Sequence, residues 1–188
     1  MVTPECLAAL DHLLWLQTGQ RAAEALSCDQ STISRTSRKA LATFELQLKR
    51  QQGSWQLSGD HTLLNLERRV HQQLRWSTGG RLRLDGHPAC RAASRQLLLP
   101  DWTIGPFQPP ERNDPLLWLQ QGLIDAWLCP PAQAAIQLGL AILPLTPTGP
   151  ALILPQRFSE HPRSQALRAQ LMDHLTDAPA PQALAYVV

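Results

Sequence analysis

The stretch Arg21-Ala22-Ala23-Glu24-Ala25-Leu26-Ser27-Cys28-Asp29-Gln30-Ser31-Thr32-Ile33-Ser34-Arg35 decides how the first part of the chain folds. Gln20 to Leu26 reads as a short helix in which Ala22 and Ala23 let another helix approach closely. Ser27-Cys28-Asp29 is a turn. Asp29 is a good N-cap for the next helix, starting at Gln30, because its carboxylate can accept the N–H of Ser31 or Thr32. Ile33 faces inward, with Ser34, Arg35, Arg38 and Lys39 on or near the open side. Two short helices joined by a three-residue turn, the second opening with hydroxyls and an amide, spell a helix-turn-helix.

The residue types suit duplex DNA. Gln30, Ser31, Thr32 and Ser34 can donate to and accept from base edges in a major groove, and Thr32 can touch a thymine methyl. Arg35, Arg38 and Lys39 are suited to phosphates, which orient a helix without reading sequence. The plain alternative is an exposed helix start with a solvated basic face.

Outward from this core, Leu7, Leu10, Leu13 and Leu14, with Trp15 and Leu16 beyond them, predict an amphipathic helix over residues 5–17, closed by Thr18-Gly19. Residues 48–58 place a glycine turn between two short extended arms, a hairpin wing with Lys49 and Arg50 at its base. Trp55 in that hairpin either faces DNA or covers the helix core. Asp60 to Trp76 is a further helix, on which Leu63, Leu66, Val70 and Leu74 repeat at spacings of three, four and four. Such a stripe faces a core or a dimer seam. Because the first three helices have their own small core, the expected partner is the twofold mate.

Composition sets the outer bounds. The chain has 188 residues, 44% hydrophobic and 17% charged, with a formal charge of +2, enough apolar content for a core and too little net charge to imply a partner. It contains no apolar run long enough for a membrane span and no basic patch feeding an apolar segment at its start, so a cytoplasmic protein without a membrane partner is expected. Fifteen of 16 prolines lie from Pro88 onward, and Ser77-Thr78-Gly79-Gly80 makes a natural hinge. Residues 35–50 hold five basic side chains against Glu45 alone, whereas the chain from Gly79 onward is balanced, so a polyanion surface belongs to the first part.

The second part alternates strand and helix. Arg81–Asp85, Trp102–Pro106 and Ile124–Cys129 read as strands, with helices over residues 88–99 and 116–122 between them, which predicts parallel pairing through helical crossovers. Two more short strands, 140–145 and 151–154, and a helix over 165–175 follow. Trp102, Trp118 and Trp127 look like core, and Asp125 like a buried hydrogen-bonding residue. The expected fold class is α+β overall: a winged helix-turn-helix over 1–58, a linker or dimerisation helix over 59–78, and a small α/β domain with a mostly parallel sheet over 79–188. About 110 residues suffice for a single lobe. Any ligand is expected beyond the carboxyl ends of its strands, near Gly86, His87 and Pro106.

Catalytic patterns are missing. Gly79, Gly80 and Gly86 make no dinucleotide or phosphate loop, no nucleophile elbow occurs, and a His87/Cys90 pairing has no spacing to recommend it. Cys6, Cys28, Cys90 and Cys129 are scattered without zinc spacing and read as small core residues. No enzyme, cofactor or metal is expected.

The run from Arg21 to Arg35 resembles the helix-turn-helix of LysR-type transcriptional regulators, typically R-A-A-x-x-L-x-x-S-Q-S-x-[VI]-S-R. Leu57-Ser58 is similar to the L-T that follows the wing in that family. Leu82-Arg83-Leu84-Asp85-Gly86 and the run from Leu119 to Leu128 resemble the opening strand and a helix-to-strand passage of its effector domain. The resemblance implies that the helix from Gln30 enters the major groove, that Gln30, Ser31, Thr32, Ser34 and Arg35 face DNA, and that the linker helix pairs two subunits. The expected function is therefore sequence-specific binding of double-stranded DNA by a homodimeric regulator acting without a small-molecule effector. The alternative is a protein-interaction module on the same scaffold, with little DNA affinity and a partner docked on the α/β domain.

Overall fold

Pro4 starts helix α1 (Pro4–Leu16), where its missing N–H costs nothing, and Gln17 in the left-handed conformation ends it. From Ala9 to Leu16 every residue of α1 is buried. A helix segment buried on all sides belongs at a centre, and α1 serves two. Leu7, Leu10 and Leu14 pack with Ala40, Leu46 and Leu64, while Trp15 and Leu16 pack with Leu119, Ile124, Trp127 and Ile153 from the second half of the chain. The computed structural model describes residues 2–51, 53–94, 99–108, 114–131 and 138–177.

Helix α2 (Gly19–Ala25) opens on Thr18, whose hydroxyl accepts the Arg21 N–H at 3.2 Å. The turn after it leads into α3 (Gln30–Thr43), which buries Ile33, Ser37 and Ala40 on one face. Asp29 does occupy the N-cap position, but its carboxylate makes no capping hydrogen bond, so the expected bond to Ser31 or Thr32 is not formed. Its contribution is reduced to charge beside the helix dipole. Strands β1 (Gln47–Gln51) and β2 (Ser54–Ser58) pair antiparallel as the wing, with Gly53 in the left-handed region that the tight turn needs. Asp60 then accepts both the N–H and the hydroxyl of Thr62, at 2.9 and 2.6 Å, and starts α4 (Thr62–Ser77).

The second half forms one five-stranded sheet among the described residues, in the order β4-β3-β5-β7-β6. Strand β3 (Leu82–Gly86) pairs parallel with β4 (Trp102–Ile104) and β5 (Ala126–Cys129), as the strand–helix alternation predicts. The last two strands, β6 (Leu140–Pro144) and β7 (Ala151–Pro155), pair antiparallel with each other, and β7 pairs antiparallel with β5. The sheet is thus mixed, where a mostly parallel one was expected. The reason is the short connection 145–150, which can turn a hairpin but cannot carry a crossover.

Of the expected helix over 88–99, the described residues show a 3₁₀ turn, Pro88–Cys90, running into α5 (Arg91–Ser94), and residues 95–98 of that expectation lie outside the described residues. Helix α6 (Pro115–Gln121) is capped by Asp114, whose carboxylate accepts the Leu116 and Leu117 N–H groups. Helix α7 (Pro162–Asp177) covers the sheet with Leu167 and Leu171. Trp102 and Trp127 are core and Trp118 is half-buried. No helix among the described residues is long and apolar enough to cross a membrane.

Candidate nucleic-acid interface

Burying Ile33, Ser37 and Ala40 turns the opposite face of α3 outward, where Ser31, Arg35, Arg38 and Lys39 are exposed, and Gln30 is exposed at the start of the helix, on the side of α2. Thr32 and Ser34 are half-buried. The hydroxyls of Thr36 and Ser37 turn back to the helix, donating to the Thr32 and Ser34 carbonyls at 2.6 and 3.3 Å. Gln30 lies across Gly19 so closely that an added Cβ there would sit 2.9 Å from its side chain. Glycine at 19 is therefore what lets α3 begin hard against α2.

The wing stands beside this face. A cavity of about 400 Å³ between α3 and the hairpin is bordered by Gln30, Ser34, Arg38, Leu48 and Trp55. Lys49 and Arg50 are both exposed. Arg50 lies over the Trp55 ring, 5.7 Å from its centroid, and its Nε–H donates to Gly53 O at 3.4 Å. Trp55 is half-buried, and its backbone N–H donates to Gln17 Oε1 at 2.6 Å, which fixes the wing to the end of α1. Nothing in the sequence pattern marks Gln17 for that task.

On α4 the stripe Leu63, Leu66, Val70 and Leu74 is open to solvent, at 66%, 48%, 57% and 47% exposure. Leu64, Arg68, Gln72 and Trp76 on the opposite face are buried and tie α4 to both halves of the chain. Arg68 Nε donates to Asp11 at 2.8 Å, Gln72 donates to Ile124 O at 3.1 Å, and Trp76 stacks on Phe158 with ring centroids 4.5 Å apart.

Between the two halves lies a buried ionic cluster that the sequence reading missed. Asp11 accepts from Arg68 on one oxygen and from Arg83 on the other, at 2.8 and 3.1 Å, with all three side chains nearly solvent-free. Burial opposes the Asp11 charge, yet the two guanidiniums hold its carboxyl below the usual range. Asp125 accepts from Arg75 on both oxygens at 3.1 Å and from the Arg83 N–H at 2.9 Å, the buried hydrogen-bonding role expected of it. The one sequence signal was Asp11-His12 inside an otherwise apolar helix.

The expected ligand residues are not brought to one cavity. Gly86 is closed over, since an added Cβ would lie 2.3 Å from the Phe107 ring and 2.9 Å from Leu128 O. His87 accepts the Ala89 N–H on Nδ1 at 3.2 Å, and its own N–H donates to Leu128 O. Pro106 borders a groove of about 830 Å³ between α2 and the β4 edge, whose described lining includes neither Gly86 nor His87. The carboxyl ends of β3 and β4 are covered by Trp15, which packs on Gly105 and donates to Asp85.

All four cysteines are free thiols, with Cys28 half-buried and the others buried. Burial pushes Cys90 up to about 11 and Cys129 to about 12, far from thiolate reactivity. No group of three His, Cys, Asp or Glu among the described residues could hold a metal ion.

No family model and no curated protein matches the chain. Its fold is similar in outline to several solved structures. One is full-length OxyR C199D from Pseudomonas aeruginosa, at 15% identity and a TM-score of 0.46, covering 77% of this chain and 55% of that one. Another is CrgA, a LysR-type transcriptional regulator from Neisseria meningitidis, at 18% and 0.37, covering 78% and 54%. A third is ArgP from Mycobacterium tuberculosis, at 15% and 0.37, covering 77% and 53%. The chain thus spans about half the length of the structures it matches.

Proposed function

We propose that the chain is a sequence-specific DNA-binding regulator of LysR type that works as a homodimer. One observation carries the reading. The exposed side chains of α3, Gln30, Ser31, Arg35, Arg38 and Lys39, stand next to a wing that exposes Lys49 and Arg50, and these residue types are suited to base edges and to phosphates. The exposed apolar stripe on α4 supports the dimer, because a helix face of four large aliphatic side chains is costly to leave in water. Trp15 packed on Gly105 and bonded to Asp85 supports a chain with no effector seated between the carboxyl ends of β3 and β4.

Binding of the full chain to selected and scrambled duplexes, followed by fluorescence anisotropy, tests the reading. Arg35→Ala should weaken every duplex about equally, and Gln30→Ala should change which sequence is preferred, each by about 1–3 kcal/mol. Affinity should fall steeply with salt as counterions are released. A salt-insensitive interaction, with both variants behaving as wild type, would favour the protein-interaction reading.

A further inference from the structure

The groove between the two halves of the chain has arginines on both of its sides, with apolar residues between them. Arg21 and Glu24 of α2 stand on one side, and residues 102–108, from β4 onward, line the other without a break. Strand β4 is an edge of the sheet. Leu82 N–H donates to Asp101 O and Gly105 N–H donates to Leu84 O, so the odd-numbered residues bond to β3. By alternation, the backbone groups of Trp102 and Ile104 point away from β3, toward the groove.

That edge is prepared in an unusual way. Arg81 donates to Trp102 O at 3.3 Å, and Arg91 donates to the carbonyls of Pro106 and Phe107. Pro106 has no N–H. The acceptors at both ends of the edge are therefore covered by guanidiniums, and the Trp102 N–H is already given to Leu99 O. An added peptide strand would find only Ile104 to pair with, so strand addition is disfavoured. What faces the groove instead, among the described residues, is the Ile104 N–H with the guanidiniums of Arg21 and Arg81, beside the carboxylate of Glu24, which accepts from Gln20 at 2.8 Å. Arg21 is exposed, and its guanidinium has no hydrogen bond or ion pair among the described residues.

We infer that this groove binds a small organic oxyanion, a carboxylate or a phosphate ester, held by Arg21 from α2 and by Arg81 and the Ile104 N–H from the β4 edge. Guanidinium forks match either anion, and a volume of about 830 Å³ admits a molecule of metabolite size. The apolar body of the ligand would rest on Ile104 and Pro106. Because α2 belongs to the helix-turn-helix and β4 to the sheet, the bound anion would bridge the two halves. The site is independent of whether α3 reads DNA.

Isothermal titration calorimetry on the full chain at constant ionic strength tests it, with phthalate as the carboxylate probe and glycerol 3-phosphate and inorganic phosphate as phosphate probes. Saturable binding of at least one probe is expected, and which one binds identifies the source of the anion. Arg21→Gln, an exposed change that should leave the melting temperature in place, should weaken binding about tenfold or more. Lys39→Gln on α3 should leave it unchanged. Absence of saturable binding by all three probes, or equal binding by Arg21→Gln and wild type, would overturn the site. So would equal weakening by Lys39→Gln, the mark of diffuse charge attraction.

Discussion

Trp15 Nε1–H donates to Asp85 Oδ2 at 2.7 Å, joining the last turn of α1 to the end of β3. The indole and the carboxylate are both buried, and so is the imidazole of His12, three residues before Trp15, with its ring centroid 5.8 Å from that of Trp15. Burial pushes Asp85 up to about 6, although N–H donors from Trp15, Gly86 and Phe107 offset part of the rise. Burial, with the charge of Arg83, pushes His12 down to about 3.

The two shifts act oppositely on stability. Asp85 holds its proton more tightly folded than unfolded, so its contribution is full below 3.8 and lost as pH rises through about 6. His12 resists its proton in the fold, so its contribution is full above 6.5 and lost as pH falls toward about 3. Between about pH 7.5 and about pH 5, acidification gains on the order of 1 kcal/mol at Asp85 and loses a similar amount, on the order of 1–2 kcal/mol, at His12. Urea midpoints of the wild type should therefore change little across that range. His12→Phe should become more stable on acidification and Asp85→Asn less stable, and parallel profiles for all three proteins would contradict the balance.

Asp11 is the carboxylate on which two buried guanidiniums depend. Asp11→Asn should cost about 3–5 kcal/mol, because Arg68 and Arg83 keep their charges in a dry site. Adding Arg68→Met to that variant should recover part of the loss, since one stranded charge goes with it. Urea unfolding of the two single variants and the double variant measures the coupling, and simple additivity would show that the cluster does not act as a unit.

The stripe on α4 gives the assembly prediction. Val70→Glu should convert dimers to monomers in sedimentation velocity and reduce binding to palindromic duplexes, while the melting temperature of the monomer stays close to its former value, because Val70 is 57% exposed. A wild-type chain that sediments as a monomer at micromolar concentration would remove the basis of this prediction.

Gly86→Ala should be severe. The added methyl would meet Leu128 O at 2.9 Å as well as the Phe107 ring, and the backbone carbonyl cannot move aside. A loss of about 1–3 kcal/mol is expected from such overpacking, read as a lowered melting temperature. Phe107→Leu in the same chain should relieve only the ring contact, leaving most of the loss.

The local order of the N-terminal half was legible because each helix states its own period and ends. Gly53 announced the wing, and Ile33 with its outward neighbours announced the orientation of α3. What was hidden depends on pairs far apart in sequence. Arg68 and Asp11 are 57 residues apart, and Arg83 and Asp11 are 72 apart, so no window of periodicity contains them together. Trp15 read as the end of one amphipathic helix, and only the tertiary structure gives it a second core to fill. The groove was equally invisible, since Arg21, Arg81 and Arg91 converge only once α2 lies beside the sheet edge.

The inner face of α4 grips both halves of the chain, through Leu64 and Arg68 at one end and Gln72 and Trp76 at the other. A dimer closed through the outer stripe would consequently behave as a calliper with fixed jaws. Each base pair inserted between half-sites swings the second site by about 34° around the duplex, and such a protein has no joint with which to follow. The duplex would have to twist or bend to meet both jaws, at a cost set by the stiffness of base steps that no side chain touches. Spacer length and spacer composition would then count in target choice alongside the bases under α3.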